Sequence, residues 1–268
     1  MKERVAYHLF MHVIALQTDI AWEDPEANFE RVEELLALAA PQAGDLIVLP
    51  EMFAWGFSMN TAEVTEAEEG PSASFLAETA RRLGITIVGG VPLRHTPRPR
   101  NAVLVFSPEG RLARYDKRRP FTFGEEGRHY EPGDRFVWFA WNGFTVAPLI
   151  CYDLRFPELF RELALARGVD MFLVPANWPA PRVEHWRALL KARAIENQAV
   201  VVGVNRCGQD PFNPYPGASM LIDEQGRVVA EAGPQPAYLK ASFDGAELRA
   251  YRERFPALLD GRSLRWSL

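Results

Sequence analysis

The sequence predicts an α/β protein whose mixed sheets are covered by helices. Three observations carry that prediction. Short apolar runs alternate along the chain with stretches whose apolar residues repeat at helical spacing, the order that puts helices over sheets. Several of those runs, at 46–49, 85–91, 144–150, 171–175 and 200–204, lack polar alternation, as expected of strands buried on both faces. Two further pairs of runs flank turn-forming tetrapeptides, Ser107-Pro108-Glu109-Gly110 and Asp223-Glu224-Gln225-Gly226. Such hairpins make the sheets mixed rather than purely parallel.

Taken in order, residues 11–16 read as a first strand. Asp24-Pro25 starts a helix to residue 40, with Phe29, Val32, Leu35, Leu36 and Ala39 as its apolar stripe. The second strand, 46–49, runs into Pro50-Glu51, followed by an aromatic, glycine-containing loop over 53–60. Ser72 caps a helix through residue 83, and Gly84 suits its C-terminal end. After the third strand, 94–100 is a loop rich in proline and arginine, and 102–106 with 111–115 form the first hairpin. Residues 118–135 make a long polar loop, a length that usually signals function or disorder. Pro157 begins a helix to residue 167. Trp186, Leu189, Leu190, Ala194 and Ile195 line a helix over 181–197. Residues 218–222 and 227–231 form the second hairpin, 238–243 one more strand, and 248–255 a last helix. No linker-like shift in composition divides the chain, so a single domain spanning 1–268 is expected.

Composition narrows the functional classes. The 268 residues are 48% hydrophobic and 24% charged, enough for a substantial core. The formal net charge of −5 gives no support for a nucleic-acid or anionic-membrane surface, which would want a basic excess. Two cysteines, Cys151 and Cys207, make no disulfide framework, and a reducing cytoplasmic compartment is the simpler reading. The five histidines, at 8, 12, 95, 129 and 185, show no metal-ligand spacing. Residues 1–16 lack a clear signal-peptide core, and no run approaches the roughly 18 apolar residues of a membrane span.

The chemistry-bearing positions are strand ends, where open α/β sheets build their sites. Cys151 stands where the 144–150 strand hands over to a turn and helix. That junction is expected to expose the sulfur beside backbone N–H groups that favour thiolate and developing oxyanion. Glu51 follows one strand and Lys117 another. Taken alone, each has a plain reading: a solvated loop acid, a surface patch with Arg114, Arg118 and Arg119, a buried inert thiol. Together they supply a base, a cation for an oxyanion and a nucleophile.

At these residues the chain resembles the nitrilase superfamily of carbon–nitrogen hydrolases, and within it the bacterial omega-amidase group. The matching segments are Pro50-Glu51-Met52-Phe53, Gly56-Phe57-Ser58-Met59, Tyr115-Asp116-Lys117-Arg118 and Cys151-Tyr152-Asp153-Leu154-Arg155-Phe156-Pro157. Asn177-Trp178-Pro179-Ala180-Pro181-Arg182, His185-Trp186 and the segment 192–198 complete the set. One departure is Arg119-Pro120-Phe121, where group members carry His-Leu-Phe; it puts the loop path beyond Lys117 in doubt. The resemblance implies a four-layer α-β-β-α sandwich, pairing into homodimers or higher homo-oligomers, and amide hydrolysis through a thioester without metal or organic cofactor. It implies Glu51 as general base, Cys151 as nucleophile, and Lys117 with the Tyr152 N–H on the oxyanion. It also implies a second glutamate near the thiol, assigned to Glu126 over Glu125. The substrate class it implies is a small-molecule amide, the terminal amide of a short 2-oxo acid such as 2-oxoglutaramate.

A carboxylate-bearing substrate needs a cation, and Arg155, four residues past the thiol, is the candidate. Its alternative is pairing with Asp153 or Glu158 to hold the turn. Trp178 and Phe53 are either pocket walls or core, and Cys207 reads as structural. Rival readings are a deaminated-glutathione amidase, a carbamoyl hydrolase or a nitrilase. A non-catalytic member of the fold is disfavoured because Glu51, Lys117 and Cys151 are all present, and a redox sensor because nothing places the two cysteines together.

Overall fold

A computed structural model describes residues 11–261. The reading of residues 1–10 as free of a leader lies outside that range. The elements follow as β1 (Val13–Gln17), α1 (Pro25–Ala39), β2 (Leu46–Val48), α2 (Thr61–Val64), α3 (Pro71–Leu83), β3 (Thr86–Leu93), β4 (Arg100–Ser107) and β5 (Gly110–Asp116). Then come α4 (Glu126–His129), β6 (Phe139–Trp141), β7 (Phe144–Pro148), α5 (Pro157–Arg167), β8 (Met171–Ala176), α6 (Val183–Asn197), β9 (Val200–Asn205), β10 (Cys207–Gln209) and β11 (Pro214–Pro216). The chain closes through β12 (Met220–Ile222), β13 (Val228–Glu231), β14 (Ala237–Ala241), α7 (Gly245–Arg254) and α8 (Ala257–Gly261).

Two six-stranded mixed sheets stack face to face. Their orders are β14-β1-β2-β3-β4-β5 and β13-β12-β9-β8-β7-β6, each with a parallel centre and antiparallel flanks. The period of two explains why the strands lack polar alternation. Val13, Ala15, Leu46 and Val48 face the second sheet and share a core with Val146 and Leu173. Ile14, Leu16 and Ile47 face the other way, into a core with Val32, Leu36 and Leu76 of α1 and α3. On the far side, α5 and α6 cover the second sheet, with Phe160 against Phe172 at 5.0 Å and α6 over β9 and β12. The result is the expected four-layer α-β-β-α sandwich. Full burial of each such aliphatic or aromatic side chain contributes about 1.5–3 kcal/mol, so neither strand face tolerates a polar residue without a partner.

Local differences from the expected elements have local causes. Gly70, not Ser72, caps α3, because Pro71 suits the first helical position; Ser72 instead donates to the buried Glu66 carboxylate from both its N–H and its hydroxyl. α6 begins at Val183 after a single 3-10 turn, Ala180–Arg182, that absorbs Pro181. Ile195 is exposed, since the buried face of α6 runs through Trp186, Leu190 and Ala194 and position 195 is turned away from it. The β6–β7 hairpin was not expected. Its turn, Asn142-Gly143, has positive φ at both residues (44° and 76°), the conformation for which Asn-Gly is the strongest signal.

Candidate active site

Glu51, Lys117 and Cys151 leave the C-terminal ends of β2, β5 and β7, and the facing sheets bring those ends together. Each is set by a distinct local device. Beyond β2, the Gly90 N–H donates to the Pro50 carbonyl and the Gly90 carbonyl accepts from Phe53 N–H. A Cβ at Gly90 would lie 2.5 Å from Glu51 Cα and from Met52 N, so only glycine lets this turn seat against β3. The Lys117 N–H donates to the Asn101 carbonyl at 2.8 Å, extending the β4–β5 ladder by one residue. Cys151 adopts left-handed backbone (φ 43°) and opens a 3-10 turn, Cys151–Arg155. Such a conformation is strained for a non-glycine residue and persists only where the surroundings enforce it. Asp153 supplies that enforcement: its carboxylate accepts from Ile150 N–H (2.9 Å), Tyr115 Oη (2.8 Å) and Arg119 N–H (2.9 Å).

The side chains meet in a buried cluster. Lys117 Nζ donates to Glu51 Oε1 at 2.7 Å and to Glu126 Oε2 and Oε1 at 2.9 and 3.1 Å, with all three residues at most 2% exposed. Glu126 therefore joins the cluster, while Glu125 is exposed and pairs with Arg128. Two residues not singled out as site residues complete it. Asn101 Nδ2 bridges the carboxylates, donating to Glu51 Oε1 at 2.7 Å and Glu126 Oε1 at 2.8 Å. Asn177 donates to the Glu51 carboxylate from its N–H (2.9 Å) and to the Glu51 carbonyl from its side chain (2.6 Å). An asparagine opening an otherwise apolar strand was the available signal for Asn101, but nothing local said what it faced.

Electrostatics assign protonation states. Burial disfavours the Lys117 ammonium, but the Glu126 and Glu51 carboxylates outweigh it and hold its pKa well above the ordinary lysine value. Lys117 is thus a permanent cation. Burial raises the Cys151 thiol, Glu51 raises it further, and Lys117 only partly offsets them, so the resting group is a thiol. Its Sγ lies 3.8 Å from the Asn177 carbonyl, an acceptor for that proton. The sulfur is also less open than the junction suggested, with Cys151 only 7% exposed.

A cavity of about 480 Å3 reaches Cys151. Tyr152, Arg155 and Trp178 line it, whereas Phe53 does not: it is fully buried on the helix side of the first sheet, packed near Phe29 and Phe75. Its side chain falls on the opposite side of the turn from Glu51. Arg155 pairs with neither Asp153 nor Glu158; it stacks on Trp178 at 4.8 Å and lies 3.3 Å from His185 Nδ1. Pro120 withholds no N–H that the loop uses here, because the donors belong to its neighbours: Arg119 donates to Asp153 and Phe121 to Glu126 at 2.6 Å. Cys207 is fully buried in β10, its thiol pushed up to about 12 by burial first and Asp19 second. Among the described residues, no three His, Cys, Asp or Glu side chains gather as a metal site would require, and no helix is long and apolar enough to cross a membrane.

Residues 13–253 match the carbon–nitrogen hydrolase family. The chain is 42% identical to the omega-amidase YafV of Yersinia enterocolitica over 91% of its own length and 94% of that protein's. It is 35% identical to the 2-oxoglutaramate amidase of Bacillus subtilis, covering 93% and 97%. It also superposes on a carbon–nitrogen hydrolase superfamily protein of Xanthomonas campestris that carries an arsenic adduct in its active site. That match has a TM-score of 0.89 and 37% identity, and covers 96% and 99% of the two chains.

Proposed function

The chain belongs to the carbon–nitrogen hydrolase family and is an amide-hydrolysing enzyme; we propose that its substrates are the terminal amides of short 2-oxo dicarboxylic acids, 2-oxoglutaramate and 2-oxosuccinamate, cleaved through a thioester on Cys151. The observation that carries this reading is the buried cluster in which one lysine is shared by two carboxylates beside a protonated thiol at the cavity. A thiol held protonated needs a base, and Glu51 is the carboxylate whose partner Asn177 also receives the sulfur.

The steps follow from those states. Glu51 takes the Cys151 proton as Sγ attacks the amide carbon. The carbonyl oxygen becomes an oxyanion facing the Lys117 ammonium and the Tyr152 N–H. That N–H lies in the first turn of a 3-10 segment, where donors lack intrahelical acceptors. The tetrahedral adduct collapses, the nitrogen takes the proton from Glu51 and leaves as ammonia, and an acyl thioester remains. Water then gives a proton to Glu51 and attacks the thioester carbon. Collapse releases the acid, and Glu51 returns the proton to sulfur. Glu126 keeps Lys117 charged and placed. Arg155 binds the carboxylate at the far end of the substrate, with Trp178 and Tyr152 beneath its guanidinium. The reading includes a cytoplasmic, single-domain subunit in a homo-oligomer, which light scattering would measure.

The test is ammonia release from 2-oxoglutaramate, glutamine, a carbamoyl compound, deaminated glutathione and a nitrile, by wild type and Cys151→Ala. Preference for 2-oxoglutaramate, lost in the variant, is the expected outcome. Preference for another member of the panel would replace the substrate; full activity in Cys151→Ala would remove the thioester.

A further inference from the structure

We propose that Arg182 is a second specificity-determining residue, forming with Arg155 a two-guanidinium clamp that selects a 2-oxo acid amide over the corresponding amino acid amide. The inference rests on the substrate reading above and deepens it.

Both arginines line the cavity that contains Cys151. They arrive from different elements: Arg155 from the 3-10 turn after the thiol, Arg182 from the residue that caps α6. The Arg182 guanidinium lies over Phe121 at 5.4 Å and Phe123 at 5.8 Å. Among the described residues, neither arginine has a carboxylate partner. Elsewhere among the described residues, Arg100, Arg193 and Arg252 do pair, with Asp116, Glu196 and Asp170, whereas Arg118 is a further half-buried arginine without a carboxylate. Two cations on one cavity without a counterion are an unfavourable arrangement unless an anion completes it. Burial lowers the Arg155 pKa; Tyr152 opposes that shift and the charge of Arg182 adds to it.

The acids of the cavity do not supply that anion. Glu23 accepts from Ser58 Oγ at 2.5 Å and from Asn60 Nδ2 at 3.4 Å. Asp210 accepts from Tyr215 Oη and from the N–H groups of Phe212 and Asn213. Glu23 is committed to the 53–60 loop and Asp210 to its own turn. The cations, in contrast, are held on aromatic faces and tied to each other's support: Trp178, on which Arg155 stacks, donates its indole N–H to the Arg182 carbonyl at 2.7 Å.

The ligand chemistry follows. A 2-oxo acid presents two carboxylate oxygens and an adjacent keto oxygen, all acceptors. One guanidinium can take the carboxylate as a fork while the second donates to the remaining oxygens. An α-amino acid amide replaces the keto oxygen with an ammonium, which offers no acceptor and is repelled by both arginines. The clamp therefore discriminates at the 2-position as well as binding charge.

The experiment measures kcat and KM for 2-oxoglutaramate, glutamine and butyramide with wild type, Arg182→Gln, Arg182→Lys and Arg155→Lys, with a melting curve for each. Loss of one charge-assisted contact predicts a rise of roughly 10- to 100-fold in KM for 2-oxoglutaramate in Arg182→Gln. The change in kcat should be small, Arg182→Lys should recover part of the loss, and preference over glutamine should shrink. Butyramide, which has no carboxylate, should lose far less. An unchanged KM in Arg182→Gln alongside a raised KM in Arg155→Lys overturns the clamp and leaves Arg155 acting alone. Equal losses on all three substrates with a lowered melting temperature overturn it in favour of a structural role. Wild type inactive on 2-oxoglutaramate refutes the substrate reading itself, so the two failures are distinguishable.

Discussion

Lys117→Met keeps the aliphatic stem and removes the charge that Glu51 and Glu126 share. The ammonium sits 2.7 Å from one carboxylate and 2.9 Å from the other, and none of the three residues is more than 2% exposed. Breaking a buried ion pair by removing one partner costs about 3–5 kcal/mol, because the remaining charge is left uncompensated. In a protein of this size that lowers Tm by roughly 6–20 °C. Here two carboxylates are left facing each other across Asn101, and like charges so close do not both stay ionised. The variant should therefore take up a proton on folding, and its stability deficit, full at pH 8, should shrink as pH falls. Wild type behaves oppositely at the other end of the scale. Its Lys117 pKa is raised, so the contribution of that lysine is complete below the ordinary value of 10.5 and is lost as pH climbs above it. Activity should fall by about 2.7–4 kcal/mol, a hundred- to thousandfold in kcat, the usual loss of one oxyanion donor. Denaturant unfolding at pH 5 and pH 8, with ammonia release at pH 8, measures both effects. Near-normal kcat with only a raised KM would make Lys117 a substrate ligand. Unaltered stability at pH 8 would show that the cluster does not hold the cation as described.

One equivalent of iodoacetamide should label Cys151, which lines the cavity beside the Glu51 base, and abolish activity while sparing Cys207, which is fully buried and lines no part of that cavity; mass spectrometry finding the label on Cys207 would sink the assignment. Asn101→Leu removes one of the two donors, with Lys117, common to both carboxylates and should cost about 1.5–3 kcal/mol of stability for a charged hydrogen bond. Its kcat should drop roughly tenfold or more; a variant matching wild type in both would show that Lys117 alone positions the pair. Gly90→Ala should push the Glu51 turn off β3, since the new Cβ meets backbone at 2.5 Å. An ångström of misplacement costs about a hundredfold in rate, so a folded Gly90→Ala protein with full kcat would refute the argument.

Much of this protein is legible in one dimension because its causes are local. Continuous apolar strands announce burial on both faces, Asp24-Pro25 and Gly84 mark helix ends, and proline positions mark turns. Asn142-Gly143 was equally legible and marks a hairpin that the apolar runs alone did not suggest. Strand ends as seats for Glu51, Lys117 and Cys151 also follow from sequence, whereas the glutamate in the loop beyond Lys117 was implied only by the family resemblance. What the sequence by itself could not determine is convergence. Phe53 and Trp178 are both aromatic residues beside site motifs, yet Phe53, in the turn after Glu51, packs under the helices of the first sheet, and Trp178, beyond β8 of the second sheet, walls the cavity. Arg155 had acids on either side of it in sequence and pairs with neither, since Asp153 is occupied by Tyr115 and by the backbone of Ile150 and Arg119. The contacts that hold Glu51 come from residues 50, 66 and 126 positions away. Such contacts depend on the register of four strands and the stacking of two sheets, and no local preference encodes them. The residue types were therefore written in the chain, whereas their protonation states and their partners were decided by tertiary packing, through burial and through the charges it brings together.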